Sequence, residues 1–187
     1  MSEPIPTEIS IGGKIRKDQV PGLCQAIAEE GMSLEWGDAG FIPETTEELL
    51  AACQDRDGVR VLWLCNDQAN YGCFDVLEEF LARERISFRH KSDAKYEYDA
   101  EIIEYRPQIG QVSYASNNSG EPLIQLSTMT LIATAVDQAE NTAEGQTALE
   151  LLRRLRNIQQ LVHESLPALV PPLEPFEIVG QGAGKEI

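Results

Sequence analysis

The strongest constraint on this chain is an order of elements that occurs twice in its first 90 residues. The stretch "EISIGGKI" sets Ile9, Ile11 and Ile15 at a period of two, which predicts a strand with one buried face. Val20, Leu23, Cys24, Ile27 and Ala28 follow at helical spacing, with Asp18 as the expected cap and Gly31 as the stop. "SLEW" (33–36) is the expected second strand. The nearly continuous apolar run "VRVLWLC" (59–65) then predicts a strand covered on both faces. A helix over roughly 71–85 buries Phe74, Leu77, Phe80 and Leu81, and "ISFRH" (86–90) closes the second unit. A shift of 54 positions matches Leu23 to Leu77, Ile27 to Leu81, Met32 to Ile86 and Ser33 to Ser87.

Two strand–helix–strand units in tandem resemble the ferredoxin-like arrangement, a four-stranded antiparallel sheet backed by helices. The expected class is therefore α+β, with a ferredoxin-like core over residues 1–92. A short inserted helix near 46–53 carries Thr45 and Glu48 at capping-box spacing. The competing parse is a doubly wound parallel sheet, for which the chain is short and its first strand lacks a Gly-rich phosphate turn. Residues 93–187 read as a β-meander ("EIIEYR", "QVSYASN", "PLIQLS"), a helix begun by Ser127, a long helix and a Pro-rich arm. The long helix carries Leu151, Leu152, Leu155, Ile158, Leu161 and Val162 on one stripe and Arg153, Arg154 and Arg156 opposite. Leu169, Val170, Phe176 and Ile178 predict that the arm packs as far as about Val179, and the whole is expected to form one compact domain.

Charge narrows the partners. The 187 residues hold 31 acids and 15 bases, a net −16, spread as −8 over 1–58, −3 over 59–108 and −5 over 109–187. A surface of that sign excludes free nucleic acid as a general partner. It suits solubility, a basic protein partner, or mimicry of nucleic-acid phosphates in order to inhibit a DNA- or RNA-binding enzyme. No apolar run is long enough to span a membrane, and "MSEPIPTEIS" lacks the basic and apolar segments of a signal peptide. Cys24, Cys53, Cys65 and Cys73 form no C-x-x-C pair and read as small buried hydrophobes, so reduced thiols and a cytoplasmic location are expected.

Two places carry candidate chemistry. Tyr96, Glu97, Tyr98, Asp99, Glu101, Tyr105 and Arg106 lie in "DAKYEYDAEIIEYRPQIG" (93–110), where tyrosines and carboxylates alternate. On a strand the acids stand roughly 6.5–7 Å apart on one face, a row that deters edge pairing or rims a partner-binding edge anchored by the tyrosines. A linear row converges poorly on a cation, and no metal or cofactor is expected. The second place assumes that the first and third core strands run parallel. The loops leaving them would then be neighbours and pair Lys14, Arg16 and Lys17 with Asn66, Asn70 and Tyr71 around a small anion at two helix N-termini. The two histidines, His90 and His163, have no spacing that brings them to a cysteine, so no nucleophile–base pair is apparent. The expected function is a non-enzymatic, acidic interaction or regulatory protein that contacts a protein partner or its own copies. A domain that responds to a small anion, or a nucleic-acid mimic, are the alternatives.

Overall fold

The computed structural model describes residues 4–95, 99–117, 119–141, 147–166 and 169–180. It is a mixed α+β structure whose contacts divide the chain into two units: Met1–Glu121 with Val170–Ile187, and Pro122–Leu169.

The first unit is built on a six-stranded sheet. Its strands are β1 (Pro4–Gly12), β3 (Gln54–Arg56), β4 (Val59–Asn70), β5 (Ser87–Ser92), β6 (Ala100–Arg106) and β7 (Gly110–Ser116), in the order β3-β4-β1-β5-β6-β7. Every neighbouring pair runs antiparallel. A separate parallel pair joins β2 (Lys14–Arg16) to β8 (Glu177–Val179), so the C-terminal arm packs through Phe176 and Ile178 as expected, whereas Leu169 is exposed. Phe176 is buried in the main core, and the amide of Gly13 donates to the Glu174 carbonyl.

One face of the sheet carries helices α1 (Val20–Glu29) and α3 (Asp75–Arg83). The alternation of β1 turns Ile5, Ile9 and Ile11 towards the core, where Leu23, Ile27, Leu77, Leu81, Leu62, Leu64 and Phe88 are fully buried. α1 and α3 approach closely at Gly22, where a Cβ would stand 2.5 Å from Phe80 Cε2. Glycine costs helix stability but permits that approach. β4 is covered on both faces, as its apolar run predicts. Leu62 and Leu64 join the main core, while Val61, Trp63 and Cys65 form a second cluster with Val59 and Leu173.

Several expectations need correcting in detail. "SLEW" makes a single bridge, Ser33 to Cys65, because the chain turns back at once: the Asp38 amide bonds Glu35 O and the Phe41 amide bonds Met32 O. Asp18 does not cap α1; it lies in a 3-10 turn over Lys17–Gln19 and pairs with Arg16 at 3.1 Å, and Gln19 is the N-cap. α3 starts four residues later than expected, since Tyr71 and Gly72 both hold positive φ (53° and 70°) and cannot continue a helix. The short α2 (Thr46–Ala52) has the expected Thr45–Glu48 capping box. It is followed by an unforeseen hairpin, β3 to β4, turned by Asp57 and Gly58 with φ of 55° and 78°. "PLIQLS" forms no strand; its Leu126 instead opens α4 (Leu126–Asn141).

The second unit consists of α4 packed against α5 (Ala148–Ser165), the latter capped by a Thr147–Glu150 box. No helix among the described residues is long and apolar enough to cross a membrane.

Candidate functional site

The tyrosine–carboxylate stretch divides into parts. Tyr96, Glu97 and Tyr98 lie outside the described residues; Asp99 and Glu101 are exposed. The strand that follows is not an edge: β6 is paired on one side by β5 and on the other by β7. Tyr105 turns to the helical side, where its ring stacks on Phe88 at 5.7 Å and its hydroxyl donates to Ala82 O at 3.1 Å. Arg106 turns to the other side and is 4% exposed. Its guanidinium donates to the carbonyls of Phe88 (2.8 Å), Pro171 (2.9 Å) and Tyr105 (3.0 Å), with the Glu104 carboxylate at 3.4 Å. Arg106 is buried and Tyr105 half-buried. The carbonyls of Phe88, Pro171 and Ala82 and the ring of Phe88 hold both side chains against the unit's own structure.

The paired-loop anion site fails at its geometric premise. β1 and β4 are antiparallel, with Pro4 opposite Asn70 and Ile11 opposite Leu62. Lys14, Arg16 and Lys17 therefore lie at one end of the sheet and Asn66, Asn70 and Tyr71 at the other. Arg16 is taken by Asp18 and Glu84, and Lys14 and Arg16 belong to the β2–β8 pair. At the opposite end, Asn66 Nδ2 donates to Glu30 O. The α3 N-terminus already holds an anion: Glu30 Oε1 accepts from the amides of Val76 (2.6 Å) and Leu77 (3.3 Å). Burial raises the Glu30 pKa, and the two amides pull it back only in part.

Nucleophilic chemistry finds no support in the thiols. Burial raises the pKa of Cys24, Cys53 and Cys73, and pushes Cys65 up to about 11. Asp75 and Glu78 add to the rise at Cys73, the opposite of what an activated thiolate needs. His90 is buried against Phe74, with Nδ1 2.6 Å from Glu78 Oε1 but neither ring nitrogen in an aligned hydrogen bond. Among the described residues, no group of three or more His, Cys, Asp or Glu side chains is placed to hold a metal.

Two surfaces stand out instead. On the sheet face opposite α1 and α3, a cavity of about 410 Å³ is lined by Ser10, Arg56, Arg89, Glu104, Tyr114 and Leu173, among others. Glu104 anchors its floor: Tyr114 Oη donates to it at 2.8 Å, and Arg106 and Arg89 approach at 3.4 and 3.9 Å. Burial, then the Glu104 carboxylate, pushes the Tyr114 pKa up to about 12, so the phenol stays a donor. Alternation along "SFRHKS" (87–92), which buries Phe88 and His90, was the available signal that Arg89 and Lys91 share the opposite face.

The other surface is the α4–α5 pair, in which no described side chain is buried. Leu126, Met129, Ala133 and Val136 are exposed at spacings of three, four and three residues. That is a helical seam distinct from Ala135 and Ala139, which line a groove of about 450 Å³ with Ile158 and Leu161 of α5. Leu149, Leu152 and Leu155 of α5 are also bare, Leu126 and Leu149 at 81% and 78% exposure.

Comparison with protein-family models, with curated proteins and with solved structures finds no match.

Proposed function

We propose that this chain is a non-enzymatic interaction protein that assembles with copies of itself through the α4–α5 pair. The observation that carries the reading is the second apolar seam of α4, Leu126–Met129–Ala133–Val136, together with the bare Leu149, Leu152 and Leu155 of α5. Two helices alone cannot bury stripes on two flanks; a four-helix bundle can. A second copy supplies the same seam and forms an isologous interface. Charge favours this surface over any other on the chain. Residues 122–169 hold five acids and three bases, a net −2, whereas the remainder carries −14 and repels its like. The face is about 25 Å long by helix rise and roughly 20 Å wide for two helices, the size of a standard two-fold interface.

The ferredoxin-like reading of the first 92 residues is supported by strand order. The Ser33 bridge, β4, β1 and β5 lie in the sequence that a 2-3-1-4 sheet requires, with the second strand reduced to one bridge. On that reading the α4–α5 pair is an addition that gives a common scaffold its contact surface.

Sedimentation and light scattering over about 1–200 µM (the range that resolves micromolar affinities) test the assembly. A dimer is expected, and Leu152→Glu with Met129→Glu is expected to return a folded monomer. A wild-type chain that stays monomeric across that range overturns the proposal.

A further inference from the structure

The first unit is strongly acidic, with 26 acids and 12 bases, yet it gathers cations on one face of its sheet. Arg56, Arg89, Lys91 and Arg106 outnumber the acids Glu8, Asp57 and Glu104 in lining two adjoining cavities of about 410 and 200 Å³, which share Ser10, Arg56, Asp57 and Arg89 and so form one groove. Part of this charge is structural. Arg106 spends its donors on three carbonyls and Glu104, and Glu104 also accepts from Tyr114.

Arg56 and Arg89 are different. Arg56 is laid over the Trp63 ring, with Cζ 4.0 Å from its centroid, and one nitrogen donates to Gln54 Oε1 at 3.2 Å. Among the described residues it makes no ion pair. Arg89 reaches Gly120 O at 3.4 Å, and its nearest ion-pair contact is the shared Glu104 at 3.9 Å. Two guanidinium forks are thus oriented by an aromatic ring, a side-chain amide and a carbonyl, with donors to spare. Along the same groove run Val59, Val61, Pro172 and Leu173, an apolar wall beside the cations.

We infer that this groove binds a small amphipathic anion. Its carboxylate or phosphate head pairs with Arg56 and Arg89, and its apolar body lies along Val59, Val61 and Leu173. The guanidinium fork matches both head groups, and about 410 Å³ suits a ligand of modest size. The net −14 of the surrounding unit rejects long polyanions while the local cations hold a single charge. The inference does not depend on self-association, since all the groove residues belong to the first unit.

The test titrates hexanoate and hexyl phosphate into the full chain, with inorganic phosphate and hexan-1-ol as head-only and body-only probes. Tryptophan emission is the readout, because one of the chain's two tryptophans, Trp63, lies directly under Arg56. Saturable binding is expected for at least one hexyl anion and weaker binding, by about tenfold or more, for both partial probes. Arg56→Gln and Arg89→Gln each weaken binding about tenfold, the loss of one charge-assisted contact. Arg83→Gln, on α3, leaves it unchanged. A preference between the two anions names the head group as phosphate monoester or carboxylic acid. If neither anion saturates below about 10 mM (too weak for a built site), or Arg83→Gln weakens binding as much as Arg56→Gln, the inference falls. Arg56 lies beside an exposed turn, so its variant is informative even if Arg89→Gln does not fold.

Discussion

Replacing Arg106 by methionine tests the account of the sheet most directly. The substitution keeps an apolar stem of similar length and removes the guanidinium. Three carbonyl acceptors, of Phe88, Tyr105 and Pro171, then lose a donor within 2.8–3.0 Å, and Glu104 loses a cation at 3.4 Å. A bond to a charged donor contributes about 1.5–3 kcal/mol, but such bonds are not additive, and removal also relieves the cost of burying the cation. Burial already lowers the Arg106 pKa, and Glu104 opposes that shift, so the two charges depend on one another. The expected net loss is about 3 kcal/mol, at the lower end for a broken buried pair. Arg106→Lys is expected to recover little, because one ammonium lacks the fork that reaches carbonyls on β5, β6 and the arm together. Glu104→Gln in the methionine background is expected to restore at most about 1 kcal/mol, because the carboxylate keeps Tyr114 at 2.8 Å and Arg89 at 3.9 Å.

Urea unfolding followed by tryptophan emission isolates the effect, since Trp36 and Trp63 both belong to the first unit. The loss should also lower Tm by roughly 6–12 °C for a unit of this size. Because Arg106 binds Pro171 O, limited proteolysis of the arm should quicken in the same variant. If Arg106→Met unfolds within about 0.5 kcal/mol of wild type, the level of an ordinary surface substitution, then Arg106 does not hold the arm and sheet together.

Two other substitutions probe what the folded chain does with polar groups. Tyr105→Phe removes only the hydroxyl bond to Ala82 O and is expected to cost about 1 kcal/mol. Tyr105→Ala also removes the ring stacked on Phe88 and is expected to cost about 3 kcal/mol, both read by urea unfolding. Glu30 gives a pH dependence of definite sign. Its folded pKa is raised, chiefly by burial, so the folded state holds its proton more tightly than the unfolded state. Stability should therefore rise as pH falls through the folded pKa and level off below the unfolded one. The difference in unfolding free energy between wild type and Glu30→Gln, measured from pH 7 down to about 3.5, should change in favour of wild type. A change in the opposite direction would mean that the amides of Val76 and Leu77 outweigh burial.

What was legible in the sequence was whatever depends on neighbours along the chain. Ile9 and Ile11 face the core because strands alternate, Leu23 and Ile27 because helices turn every 3.6 residues, and Thr45 caps α2 because Glu48 is three residues away. The Asp57–Gly58 turn obeys the same logic, an Asp-Gly pair suited to positive φ just before an apolar strand. β4 passes β1 antiparallel, as the antiparallel sheet expected for the core already requires, and with that went the anion site, which assumed parallel strands. Glu30 caps a helix 46 residues further on, and no local rule points to it. The alternation in 93–110 offers Tyr105 and Arg106 to a partner-binding edge. Alternation does not reveal that an aromatic ring and three carbonyls were waiting for them from Phe88, Ala82 and Pro171.

The return of the C-terminal arm has a consequence for the order of events at the ribosome. β8 pairs with β2, and Phe176 fills the core of a sheet whose other strands end by Ser116. The chain must therefore make all of Pro122–Leu169 before the residues that finish the first unit emerge. At about 5–20 residues per second, that interval is roughly 2–10 s. By its end both helices of the second unit are complete, while the edge of β2 is still unpaired and the place of Phe176 is empty. The helices of the second unit are thus available before the first unit has closed.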